Sequence, residues 1–195
     1  MMRLTLVTGG ARSGKSDHAE RLALALGEAA TYVATAEPLD AEMEARIARH
    51  REQRPDGWIT IECPLAVSQA ILDATTAVVL LDCLTLLASN LILDAESRAE
   101  AGEAALRNEV GRLLEARTRR SGALIVVTNE VGLGVVPGTR LGRIYRDALG
   151  QANRMVASAA DEVILMVSGI PLVVKGTGNS SVPATGAGPG SLDLA

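Results

Sequence analysis

Apolar positions along this chain fall into short, nearly unbroken runs, separated by longer stretches in which they recur every three or four residues. The runs Leu4–Thr8, Thr31–Thr35, Ile59–Cys63, Ala77–Asp82, Ala123–Thr128 and Glu162–Val167, with a shorter one at Leu172–Lys175, predict strands. The stretches Lys15–Leu26, Asp40–Gln53, Ala66–Ala74, Leu84–Leu93, Arg98–Arg119 and Arg140–Ala159 predict helices. In the first of these, Ala19, Leu22, Ala23 and Leu26 lie along one face. Strands that are apolar on both sides and alternate with helices predict an α/β fold, a mostly parallel sheet with helices on both faces. The last two runs are too close for a helical crossover, so Ser168-Gly169-Ile170-Pro171 is expected to turn a C-terminal antiparallel hairpin. From Gly176 to Ala195 the chain is rich in Gly, Pro, Ser and Thr and has little to bury. A disordered tail is expected there, after a nucleotide-binding unit spanning residues 1–175.

Composition narrows the class. A chain of 195 residues is most simply one domain with a substantial core. The net charge of −4 is mild, and no basic run interleaved with aromatics is present, which argues against nucleic acid as a partner. Hydrophobic content is 48%, yet the longest apolar runs are strand-sized and Arg3 and Arg12 interrupt the N-terminal region. Neither a signal peptide nor a membrane span is expected, and the protein is placed in the cytoplasm. Cys63 and Cys83 are not spaced as a metal pair; both sit beside apolar runs and are expected to be buried thiols. With no Phe, one Trp and two Tyr, the core must be aliphatic.

The first strand leads straight into Gly9-Gly10-Ala11-Arg12-Ser13-Gly14-Lys15-Ser16, the G-x-x-x-x-G-K-S pattern of a phosphate-binding P-loop, with a strand before it and a helix after it. Small residues let successive N–H groups curl inward around phosphate oxygens, and the following helix points its positive end at the same place. Lys15 is expected to reach the β and γ phosphates, and the Ser16 hydroxyl to ligate Mg²⁺. A nucleotide is thus the expected ligand.

In open α/β sheets chemistry collects at the carboxyl ends of the strands. Asp82 ends a fully apolar run, where an acid can hold the Mg²⁺ shell; the competing reading is a helix cap for Leu84 onward. Ala34, Thr35, Ala36 and Glu37 follow the second strand, and Glu62 closes the third. The segment Thr128–Pro137 contains Gly132 and Gly134 and reads equally as a mobile loop over a second substrate or as an ordinary connection. In the helix starting at Asp40, residues Met43, Ile47, His50 and Arg54 share one face, which turns His50 toward the protein. A lone His there reads as a structural residue, but Arg46, Arg49, Arg51 and Arg54 surround it and can bind phosphate oxygens. An imidazole beside an anion site is a credible nucleophile toward phosphorus. His18, in the first turn after the P-loop, reads as structural.

Five stretches together, VTGGARSGKSDHAERLA, YVATAEPLDAEMEARIARHREQRPDGWITIEC, VVLLDCLTLLASNLI, VVTNEVGLGVVP and RLGRIYRDALGQANRMVASAADEVILMVSGIPLVVK, resemble the bifunctional adenosylcobinamide kinase / adenosylcobinamide-phosphate guanylyltransferase family of cobalamin biosynthesis. The resemblance covers residues 2 to about 175. It implies a RecA-like P-loop NTPase fold assembled as a homotrimer. The activity it implies has two steps: phosphorylation of adenosylcobinamide with ATP or GTP, then transfer of GMP from GTP to that phosphate through a guanylyl-histidine. The family's guanylylated histidine matches His50. Its nucleotide contacts match Gly9, Gly10, Ala11, Arg12, Ser13, Gly14, Lys15 and Ser16, then Ala34, Thr35 and Ala36, then Arg51, Glu52, Gln53 and Arg54, and Glu62. Its acidic strand-end position, Glu in the best-known relative, is Asp82 here, a shorter acid whose Mg²⁺ contact is expected to run through a water. Two other readings stay open from the residues alone: a P-loop small-molecule kinase that makes no use of His50, and a nucleotide-binding switch, against which the lack of N-K-x-D counts.

Overall fold

The structure, a computed structural model, describes residues 1–52, 54–94 and 99–176. In chain order the elements are β1 (Arg3–Gly9), α1 (Lys15–Leu26), β2 (Ala30–Ala34), α2 (Ala41–Glu52), β3 (Ile59–Glu62), α3 (Val67–Asp73), β4 (Val78–Asp82), α4 (Leu84–Asp94), α5 (Ala99–Thr118), β5 (Ala123–Val127), α6 (Arg140–Ala159), β6 (Glu162–Val167) and β7 (Ile170–Lys175). The strands form one seven-stranded sheet in the order β3-β2-β4-β5-β1-β6-β7, parallel throughout except for β7. The expected elements are therefore present, with ends that differ by a residue or two.

The two-residue alternation of a strand decides which face each side chain serves. Leu4, Leu6, Val79, Leu81, Leu124 and Val126 point to one side, where α3, α4, α5 and α6 cover them. Val7, Val78, Leu80, Ile125 and Val127 point to the other, where Ala19, Leu22 and Ala23 of α1 pack. Leu26 departs from the expected apolar face: Gly27 already abuts Val78 at the start of β4, so the last turn of α1 reaches the end of the sheet and Leu26 is 52% exposed. Cys63 and Cys83 are half-buried rather than fully buried, because both sit just past strand ends where the core thins.

The C-terminal hairpin is tighter than expected. Its turn is Ser168-Gly169 alone, with φ of 51° and 85°, the left-handed pair of a type I′ connection. Ile170 and Pro171 belong to β7, opposite Val167 and Met166. Pro171 is tolerated because β7 is an edge strand. The expected tail from Gly176 lies outside the described residues after its first position.

Candidate active site

The P-loop spans the gap between β1 and α1. Gly9 (φ 149°) cannot be replaced without a clash, since a Cβ there would stand 2.5 Å from the Met166 carbonyl oxygen and 2.8 Å from Ser13 Oγ. Gly14 takes a left-handed φ of 84° at the N-cap of α1, facing Gly169 of the hairpin turn at 3.5 Å from where a Cβ would be. Arg12 is also left-handed (φ 56°). The loop is braced on both sides. Gly169 N–H donates to the Ser13 carbonyl at 3.1 Å, and Glu130 N–H donates to the Gly9 carbonyl at 3.2 Å. Glu130 Oε1 in turn accepts from Thr8 Oγ1 at 2.7 Å. Lys15 is almost fully buried, its Nζ donating to the Gly10 carbonyl within the loop.

Beside the loop lies a cavity of about 610 Å³ at the carboxyl ends of β2, β3 and β4. Eight of the expected residues line it: Ser16, Ala34, Ala36, His50, Arg51, Arg54, Glu62 and Asp82. Met43, Ile47 and Ala48 of α2 supply an apolar part of the wall, which is why the shared face of α2 brings His50 inward. Arg51 pairs with Glu62 at 3.1 Å, both side chains largely exposed at the rim. Gly9, Gly10, Ala11, Arg12, Ser13, Gly14 and Lys15 form the cradle next to this cavity rather than its lining.

Asp82 is held from below. Its Oδ2 accepts from the Tyr32 hydroxyl at 2.7 Å. Cys83, between Asp82 and α4, is fixed in turn, its N–H donating to Thr35 Oγ1 at 2.8 Å and its carbonyl accepting from Leu87 N–H at 3.2 Å. Burial and the adjacent Asp82 carboxylate push the Tyr32 hydroxyl above its ordinary range, so it stays a donor. Glu20, one turn after Ser16 on α1, faces the same acid. Burial, then the charges of Asp82 and Asp17, raise its carboxyl to about 7 against the opposing effect of Arg54. His18 is buried, and burial followed by Arg21 lowers its pKa, which agrees with a structural role.

Not every expected residue lines the cavity. Thr35 is fully buried and its hydroxyl donates to the Cys83 carbonyl at 2.8 Å, so its side chain pins β2 to the start of α4 instead of facing the cavity. Glu52 is exposed and away from the lining, on the other side of α2 from His50. Gln53 lies outside the described residues. Tyr32, Glu20, Thr85 and Asn129 join the site without having been singled out in the sequence. A four-residue step from Ser16 could have found Glu20; nothing local marks Tyr32.

The donors suit Mg²⁺. A hydroxyl at Ser16 and a carboxylate at Asp82 share one cavity beside a phosphate cradle, the sparse oxygen set that this ion completes with water and substrate phosphates. Among the described residues no group of three or more His, Cys, Asp or Glu side chains forms a ready-made cage for a metal. Nor is any described helix long and apolar enough to cross a membrane.

Comparison with known proteins gives a concordant result. The cobinamide kinase / cobinamide phosphate guanyltransferase family model matches residues 5–174. The bifunctional adenosylcobalamin biosynthesis protein CobU of Escherichia coli is 43% identical over 183 residues, covering 88% of this chain and 99% of that protein. CobU of Salmonella typhimurium is 44% identical over 183 residues with the same coverage, and CobP of Pseudomonas aeruginosa is 43% identical over 174 residues, covering 88% and 96%.

Proposed function

The chain belongs to the cobinamide kinase / cobinamide phosphate guanyltransferase family, and from that premise we propose that it phosphorylates adenosylcobinamide with ATP or GTP and then transfers GMP from GTP to the new phosphate, giving adenosylcobinamide-GDP. The observation that carries the reading is the single cavity in which Ser16, Asp82, His50, Arg51, Arg54 and Glu62 meet.

In the kinase step the P-loop amides and Lys15 hold the terminal phosphate in line with the acceptor hydroxyl, whose oxygen forms the new bond to phosphorus as the bond to the nucleoside diphosphate breaks. In the guanylyl step a ring nitrogen of His50 attacks the α-phosphorus of GTP and pyrophosphate leaves. The cobinamide phosphate oxygen then attacks the same phosphorus, the N–P bond breaks, and His50 is regenerated. Arg51 and Arg54 stabilise the charge spread over the transferring group. Ser16 and Asp82 would hold Mg²⁺, which supplies charge neutralisation at the phosphates. Residues 1–175 form the working unit, in the cytoplasm, as a homotrimer. The exposed apolar side chains Ile170, Leu172 and Val174 on the edge strand β7 are surface that an assembly would cover.

Purified protein incubated with Mg²⁺ and GTP labelled at the α-phosphate tests the reading. Acid-labile, alkali-stable label on the wild type and none on His50→Ala is the expected result. A wild type that binds GTP but takes no label would reduce the activity to the kinase step.

A further inference from the structure

Tyr32 stands on β2 between β3 and β4, opposite Thr60 on one side and Leu80 on the other, and is 3% exposed. It makes two directed contacts that lead to different parts of the site. The hydroxyl donates to Asp82 Oδ2 at 2.7 Å. The ring carries Arg54, whose guanidinium carbon lies 3.6 Å from the ring centroid. Arg54 also donates to Thr60 Oγ1 at 2.9 Å, and its backbone N–H reaches the Arg51 carbonyl at 3.3 Å, which ties it to the end of the helix bearing His50. Trp58 packs near the same ring, with centroids 6.3 Å apart.

We propose that Tyr32 is a positioning residue for both steps: its hydroxyl fixes Asp82 and its ring fixes Arg54, so that one side chain sets the acidic strand end and the His50 wall relative to each other. The inference rests on the roles given above to Asp82 and His50. The two contacts support one another physically. A phenol that donates to a carboxylate carries more electron density in its ring, and a richer ring face holds a guanidinium more strongly. They are also chemically separable, because the hydroxyl can be removed with the ring kept.

The test compares full-length wild type with Tyr32→Phe and Tyr32→Leu in three measurements. Affinity for Mn²⁺–GTP is read from the free-Mn²⁺ electron paramagnetic resonance signal, without turnover. The rate of His50 guanylylation is read at saturating Mg²⁺. Emission from Trp58, the chain's one tryptophan, reports on the stack. Tyr32→Phe is expected to weaken Mn²⁺–GTP binding roughly tenfold, as loss of a hydrogen bond to a charged group implies, with Trp58 emission kept and saturated labelling slowed less than in Tyr32→Leu. Tyr32→Leu is expected to shift the emission and slow labelling as well. Wild-type Mn²⁺–GTP affinity in Tyr32→Phe overturns the proposal, and so does equal slowing of labelling by the two variants, which is the mark of general structural damage. If Tyr32→Leu does not fold, Arg54→Lys keeps the charge but loses the planar stack. It is then expected to slow labelling, and an unchanged rate overturns the ring half of the proposal. A wild type that never labels His50 defeats the guanylyl reading, while the Mn²⁺ comparison still decides the link between Tyr32 and Asp82.

Discussion

The P-loop end of the cavity and the α2 wall are built in opposite ways. The loop is made of backbone held by backbone: its carbonyls are bonded from the hairpin turn at Gly169 and from Glu130, its lysine is buried, and its first glycine has no room for a side chain. The wall is made of side chains. The described side chains of α2 are half-buried or exposed, and the helix end is tied down through the Arg54 contacts to Tyr32 and Thr60 and through the exposed pair of Arg51 with Glu62. Phosphate chemistry is common to both steps, so the part that grips phosphate gains from rigid preorganisation. In the proposed division of labour, the part that differs between the steps is carried by exchangeable side chains, which makes it open to single substitutions that leave the fold alone.

The largest effect expected from this contrast comes at Gly9. Gly9→Ala drives a Cβ into the Met166 carbonyl and Ser13, so nucleotide binding measured by equilibrium dialysis should fall at least about a hundredfold, and both activities with it. Near-wild-type binding would show that the loop is more yielding than its bracing implies. His50→Ala should separate the two regions: covalent label disappears, while phosphorylation of adenosylcobinamide, followed by phosphate transfer from labelled γ-phosphate, stays within roughly threefold, because the P-loop is untouched. Loss of both would mean that the wall serves the kinase step too.

A smaller effect tests the electrostatics where the regions meet. The folded-state carboxyl of Glu20 is raised to about 7 from an ordinary 4.5, so it binds its proton more tightly folded than unfolded. Its contribution to stability is therefore present below the unfolded value and lost as pH rises from 4.5 through about 7. Urea unfolding at pH 5 and pH 8 should show a drop for the wild type that is reduced in Glu20→Gln. An identical drop in the variant would assign the slope to other groups. The smallest effect belongs to the rim pair. Arg51→Ala should change unfolding free energy by less than about 1 kcal/mol, since both partners are exposed, while raising KM for GTP in the guanylyl step.

Much of this was legible in the sequence. The P-loop is consecutive in the chain, so its geometry follows from local residue types, and the strand runs with their intervening helices specify a mostly parallel sheet. The inward face of α2 followed from the helical spacing of Met43, Ile47, His50 and Arg54, all of which line the cavity. The side chain of Thr35 turns away from the cavity that Ala34 and Ala36 line, because its hydroxyl is held by the Cys83 backbone, a partner distant in sequence. Tyr32 carries no local sequence signal because its partners, Arg54 and Asp82, are distant in sequence and adjacent only across the sheet.

What the sequence determined by itself was the set of parts: a nucleotide-binding loop between a strand and a helix, an acid closing an apolar strand, and a histidine on the buried side of an arginine-rich helix. Each is governed by residues within one or two turns of one another, where backbone geometry and periodicity act. Strand order, with β2 between β3 and β4 and β4 beside β5, was decided only by the tertiary structure. That order places Tyr32 under Asp82 and Arg54 over Tyr32, because sheet register couples residues through pairing and packing across the chain rather than along it.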